Sequence, residues 1–316
     1  MTLLTDNEML SILTNSLQAS QKACETQLNL SKWEGKRVER KIDGDVVAKY
    51  NSVRGKTRTT KELVSKKSEP TYGAAMRASR AIYDFWVAST TEWIGRGRRA
   101  LNGVKFLEVS TKVEELVGQL DSAVDALVAE WPAIVERQRE ELGALFDEAQ
   151  YPTAEEIRGE FSATIKYMPI APADAIALDL DEEAMAKFQA SAEAHIREAI
   201  AISVGDVYKR LKEPLAKMVA TLRDPSATFK DTLTANITDV CDAMPTLNMF
   251  GDARLDALAT ELRELCNFEQ DDVRSPAWRS KVGGYTNHVR GEDAKVKRQA
   301  VADQGKAILD KIGSII

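Results

Sequence analysis

The 316-residue chain is 44% apolar and 29% charged, with only 17 Gly and 9 Pro, a composition of soluble helical proteins that argues against a sandwich or barrel of many turns. Three scattered cysteines, Cys24, Cys241 and Cys266, exclude a disulfide framework and point to a reducing compartment. The net charge of −6 hides a sorted distribution: residues 36–105 carry 17 Lys and Arg against 7 Asp and Glu, and residues 106–270 carry 15 against 32. Sorting of this kind makes a field with two ends, which acts on partners rather than on fold.

Residues 5–28 read as a first helix, with Leu10, Leu13 and Leu17 at helical spacing and Asp6 as its cap. Glycines at 35, 44 and 55 then break the pattern in a block crowded with cations. Inside it, Asp43-Gly44 stands between Val38, Arg40, Ile42 and Val46, Ala48, a hairpin signal, with a basic loop as the alternative. Residues 72–95 resume a helix bearing Tyr72, Tyr83, Phe85, Trp86 and Trp93, and 96–108 read as a turn. Val113, Val117, Leu120, Val124, Leu127, Trp131 and Ile134 then alternate steps of four and three, a near-heptad seam in a helix that Pro132 is expected to kink or interrupt near residue 131.

Thr153 with Glu156 forms a capping box. Residues 164–180, with Pro169 and Pro172, read as irregular or briefly extended. A second long helix is expected over 181–222, opened by Asp181-Glu182-Glu183, where acidic side chains suit the helix dipole. Shorter helices follow at 226–243 and 251–267, a loop at 271–291 and a basic helix at 292–312. The expected fold is mainly α: an elongated bundle on two long coiled-coil-like helices, with a basic arm that is hairpin or loop. Its expected divisions are 1–105, 106–270 and 271–316.

No catalytic constellation stands out. His195 and His288 are 93 residues apart and lack neighbouring Cys or His ligands, so no metal centre is expected. Phosphate loops, glycine fingerprints and nucleophile elbows are missing, so neither an enzyme nor a cofactor is expected. The acidic group Asp179, Asp181, Glu182 and Glu183 reads first as a helix start and only second as a magnesium site. The N-terminus lacks a secretory signal and no stretch reaches membrane-spanning length, so a cytoplasmic protein with no membrane contact is expected.

The leading functional expectation is a non-enzymatic protein that acts by protein–protein binding, and the basic block supplies the alternative, nucleic-acid binding. Lys36, Arg37, Arg40, Lys41, Arg54, Lys56, Arg58 and Lys61, with Trp33 and Tyr50, combine cations and aromatics as a single-stranded nucleic-acid site would. Two other readings compete: the aromatics are core, or the positive block docks on an acidic region of the same or another molecule. The seam residues Val113, Val117, Leu120, Val124, Leu127 and Trp131 are the candidate protein interface, with a homo-oligomer expected.

The sequence also resembles an uncharacterised phage and prophage family known only as a domain of unknown function. The resemblance rests on Leu28-Asn-Leu-Ser-Lys-Trp33-Glu-Gly35-Lys-Arg, Lys61-Glu-Leu-Val-Ser-Lys-Lys67, Gly103-Val-Lys-Phe-Leu107 and Leu247-Asn-Met-Phe-Gly-Asp252. It implies a helical accessory protein in a bacterial host cell, an adaptor for a ring-forming AAA-type ATPase of the MoxR kind. It supplies no catalytic residues.

Overall fold

A computed structural model describes residues 21–39, 44, 47–50, 59–172, 178–224, 226–268, 273 and 290–315. The fold is mainly α with small antiparallel sheets. In chain order, β1 spans Ala23–Ser31, β2 Lys36–Val38, β3 Thr60–Glu62, α1 Pro70–Ser89, β4 Thr91–Glu92, β5 Arg98–Asn102 and α2 Phe106–Leu142. Then come α3 at Ala154–Gly159, β6 at Ser162–Pro169, α4 at Glu182–Arg223, α5 at Thr232–Leu247, α6 at Ala253–Leu265 and α7 at Arg290–Ile315. One sheet has the strand order β4-β5-β1-β6, and β2 pairs with β3.

The strands correct the sequence reading in three places. Residues 23–28, expected within the first helix, belong to β1; Leu28 and Leu30 alternate with Gln27, Asn29 and Ser31, and a period of two favours strand. Asp6, Leu10, Leu13 and Leu17 lie outside the described residues. The Asp43-Gly44 hairpin is replaced by a different pairing, Lys36↔Glu62, Arg37↔Lys61 and Val38↔Thr60, with Ala48 helical; Asp43 and Val46 lie outside the described residues. The helix expected to run to residue 95 stops at Ser89, and residues 98–102 of the turn expected at 96–108 are strand: β4 and β5 form a hairpin in which Thr91 faces Ala100 and Glu92 faces Arg99. Gly95 and Gly97 supply the left-handed backbone its turn needs, at φ 99° and 74°.

The chain forms two compact units that cut across the division expected at 105 and 270. The larger comprises residues 1–26, 89–106 and 167–316, the smaller 27–88 and 107–166. The basic block is thereby divided, and most of it shares the smaller unit with the acidic stretch 107–166. The net charges become −4 for the larger unit and −2 for the smaller. Charge sorted along the sequence is therefore not sorted between bodies.

The core of the larger unit is built on α4, whose Ile196, Ile200, Val204, Val207, Leu211, Leu215, Met218 and Leu222 are buried at steps of three and four. Asp181 caps it by accepting from Ala184 N at 2.8 Å, as the acidic opening predicted. The helices α5 and α7 pack on α4, and α6 packs on α5 and α7. Where α7 passes α4, a Cβ on Gly305 would stand 2.6 Å from Val219 Cγ2, so only glycine permits that approach. Arg298, 4% exposed, donates from the same helix to the carbonyls of Thr221 (2.7 Å), Leu222 (3.2 Å), Asp224 (2.9 Å), Ala227 (3.2 Å) and Val273 (3.1 Å). Three of those carbonyls lie at the end of α4, where a helix leaves its acceptors unpaired and favours positive charge.

The smaller unit packs α1 and α2 around an aromatic core. Tyr72, Ala75, Met76 and Ile82 of α1 meet Leu116, Leu120, Val124, Leu127, Trp131 and Ile134 of α2 in one buried cluster. The helix α2 continues through Pro132 as one element, so the expected interruption does not occur. Trp131 Nε1 donates to Pro152 O at 2.7 Å, which ties α2 to the segment leading into α3. The capping box at Thr153 and Glu156 forms with both of its hydrogen bonds.

Candidate nucleic-acid interface

Of the ten basic and aromatic candidates, the structure describes Trp33, Lys36, Arg37, Tyr50 and Lys61, and it buries some of these and exposes others. Trp33, 7% exposed, stands edge-on to Tyr72 at 5.9 Å and to Trp131 at 5.2 Å. Tyr72 donates its hydroxyl to Trp33 O at 3.1 Å. A Cβ on Gly35, at φ 62°, would lie 2.7 Å from that hydroxyl, so the Trp33-Glu-Gly35 sequence is a core fitting. The expectation that Trp33 stacks on a base is thereby corrected, since its ring is buried and packs against Tyr72 and Trp131.

Lys61 is likewise withdrawn from the surface. Its ammonium donates to Leu145 O at 2.7 Å and lies 3.5 Å from Glu39. Lys36 is exposed, 3.8 Å from an equally exposed Glu62, a pairing of small energetic weight. Arg37 is exposed and pairs with no carboxylate among the described residues. Tyr50 is 69% exposed, with the Lys49 ammonium 5.7 Å from its ring centre. Arg40, Lys41, Arg54, Lys56 and Arg58 lie outside the described residues.

The described strands nevertheless fix where these cations start and finish. β2 and β3 form an antiparallel ladder, prolonged by Glu39 N donating to Thr59 O at 2.9 Å. Glu39 and Thr59, which flank residues 40–58, are therefore held side by side, and that segment carries six Lys and Arg against two Asp, a net of +4.

The seam proposed as an interface is corrected too. Leu120, Val124, Leu127 and Trp131 are buried in the core of the smaller unit with Val117 partly buried against it, and Val113 is buried as well. A regular apolar stripe announces that a helix face is covered, and here α1 and its neighbours cover it.

Three polar clusters escaped the sequence reading, because each joins residues far apart in the chain. In the larger unit Asp206 Oδ2 accepts from Arg210 at 2.8 Å, Arg99 at 3.1 Å and Glu92 N at 2.9 Å. Arg99 and Arg210 also reach the Thr90 carbonyl at 2.9 and 2.6 Å, and the hydroxyls of Thr91 and Ser203 lie 2.5 Å apart. This network fastens the β4–β5 hairpin to α4. Burial pulls the Arg99 pKa down while Asp206 opposes the shift. Only the Asp206–Arg210 spacing of four was a local signal.

In the smaller unit Glu69, 1% exposed, accepts from Arg137 at 3.2 and 2.5 Å and from Gln138 at 3.1 Å. Arg137 also meets Glu130 at 2.8 Å, and Thr71 donates to Glu130 at 2.7 Å. Hydrogen bonds from Thr71 and Arg137 hold the Glu130 carboxyl below the usual range. The bonds that Arg137 donates to Glu69 and Glu130 raise the pKa of its guanidinium.

The third cluster explains Leu247-Asn-Met-Phe-Gly-Asp252. Asn248 accepts from Asp252 N and donates to Asp252 O, both at 2.9 Å, while Asp252 accepts from Tyr208 at 3.0 Å. Gly251 turns at φ 73° and Phe250 stacks on Trp93 at 6.3 Å. All three clusters satisfy the chain's own polar groups.

The remaining candidates have ordinary surroundings. His195 is exposed on α4, and His288 lies outside the described residues. The cysteines are free. Burial raises all three thiols, that of Cys266 to about 11, which suppresses their nucleophilic form. Among the described residues no group of three His, Cys, Asp or Glu side chains could hold a metal ion, and no helix is long and apolar enough to cross a membrane. No family model, curated protein or solved structure matches the chain.

Proposed function

We propose that this chain is a non-enzymatic binding protein that grips an extended polyanion, of the nucleic-acid backbone class, with the β2–β3 ribbon and the basic segment it carries. The observation that carries this reading is the ladder itself, which roots both ends of a +4 segment beside the exposed Lys36 and Arg37. A cationic segment anchored at both ends loses less freedom on binding than a free tail would.

Phosphate contacts release counterions, so affinity should fall steeply as salt rises. Fluorescence anisotropy with labelled DNA tests this across a salt series. Replacing Arg37, Arg40, Arg54 and Arg58 by Ala should abolish binding and flatten the dependence. An unchanged titration curve in that variant would remove the ribbon from consideration.

A second reading, a protein-binding accessory role, is favoured by a different observation. Val104 is 86% and Leu107 75% exposed where the chain enters α2, and large apolar side chains left in water favour contact with another protein. That reading includes self-assembly and the ring-ATPase adaptor implied by the phage-family resemblance. Light scattering at micromolar concentration tests self-assembly: a mass well above 34.9 kDa supports it, and a monomer excludes it at that concentration.

A further inference from the structure

We infer that Tyr50 is a base-stacking platform, so that the polyanion held by the ribbon is a single strand rather than a duplex; the inference rests on the polyanion reading above. The fold sorts the aromatics nearest the cationic block into two kinds. Trp33 and Tyr72 are buried and pack edge-on against each other. Tyr50 has 69% of its surface in water, inside the 40–58 segment whose net charge is +4. Lys49, the adjacent residue and also exposed, holds its ammonium 5.7 Å from the ring centre.

An exposed flat ring beside exposed cations matches the chemistry of an unpaired nucleotide. The base lies on the ring while its phosphate meets the Lys49 ammonium. A duplex offers no such match, because its bases already stack on one another and present only edges in the grooves. The ring is tolerant of base identity, so affinity should vary little with sequence.

Tyr83 provides an internal contrast. It too is exposed, with the Arg80 guanidinium 5.3 Å from its ring. Arg80, however, is paired with Asp84 at 2.7 Å, and Tyr83 packs against Trp86 at 6.2 Å. The cation beside that ring is already neutralised by Asp84, whereas the Lys49 ammonium beside Tyr50 pairs with no carboxylate among the described residues.

The experiment titrates the full-length protein against three probes at fixed salt: a labelled oligothymidine, a duplex of equal length, and heparin. The variants are Tyr50→Ala, Tyr50→Phe and Tyr83→Ala, each checked for an unchanged thermal melt. Stacking predicts that the wild-type protein favours the single strand. Tyr50→Ala should weaken that complex roughly 5- to 150-fold and leave heparin binding unchanged, while Tyr50→Phe and Tyr83→Ala bind as wild type. Single-strand affinity unaltered in Tyr50→Ala would overturn the stacking role and leave the polyanion reading standing. Equal loss on all three probes would reduce Tyr50 to a structural residue and also overturn it. Failure of the wild-type protein to bind any probe would overturn both readings together.

Discussion

Two buried charges, one in each unit, are held by opposite means. In the larger unit, Arg298 is enclosed by main-chain carbonyls, five of them within 3.2 Å. In the smaller, Glu69 is enclosed by side chains, the Arg137 guanidinium and the Gln138 amide. The difference follows from what each unit must join. The end of α4 and the segment after it supply unpaired acceptors, and a long cation from α7 can reach several at once. The start of α1 and the face of α2 have regular backbones, so an ion pair between side chains links them. Main-chain sockets depend on one donor, whereas the side-chain network shares its bonds among Glu69, Arg137, Glu130, Thr71 and Gln138.

That contrast predicts unequal sensitivity. Arg298→Met should be the most damaging substitution, costing about 3–5 kcal/mol because it orphans several buried carbonyls together. Amide hydrogen exchange should accelerate at the end of α4 and in α7 while the smaller unit keeps its protection. Arg298→Lys should not rescue it, since one ammonium cannot span five acceptors. Faster exchange spread evenly over both units would break the comparison.

Glu69→Ala should cost less, about 2–3 kcal/mol, because the half-exposed Arg137 can turn to water and keep Glu130. Its exchange signature should be confined to α1 and α2. Gly305→Ala should cost about 1–3 kcal/mol through overpacking against Val219, again in the larger unit alone. Thr153→Ala removes one capping interaction, worth about 1 kcal/mol, visible as a small shift in chemical denaturation.

Alkali separates the units without mutation. Burial holds the Cys266 thiol near 11 against an ordinary value of 9, and raises Cys24 and Cys241 as well; all three belong to the larger unit. The smaller unit has no cysteine. Its buried phenols start from 10, with Tyr151 pushed to about 12 and Tyr72 raised further. Groups raised in the folded state deprotonate first in the unfolded chain, so stability is complete below the ordinary value and falls above it. The larger unit should begin to weaken above pH 9, the smaller only above pH 10. Exchange measured across that range checks the order, and simultaneous loss would contradict it.

The sequence disclosed what repeats and concealed what closes over distance. The seam from Val113 to Ile134 and the alternation along α4 are periodic, so both long helices were readable, as were the caps at Asp181 and Thr153. β4 has two residues and β5 five, too short to carry a period, and their hairpin rests on Gly95, Gly97 and the distant Asp206. The same limit governed the candidate interface. Positive charge in residues 36–67 was visible, but the burial of Trp33 needs Tyr72 and Trp131, and that of Lys61 needs the Leu145 carbonyl, 84 residues away. Local composition names a residue's chemistry; only the fold decides whether that chemistry faces water.

The Arg298 socket also sets a timetable for synthesis. The carbonyls it satisfies belong to residues made more than 70 positions earlier, apart from Val273. At roughly 5–20 residues per second, they wait on the order of 4–15 s after translation before their donor exists. Every stretch of the smaller unit has already been translated by residue 166. A nascent chain thus carries every residue of the aromatic core while the end of α4 still lacks its donor, and that interval is when chaperones or a premature partner would find the larger unit most open.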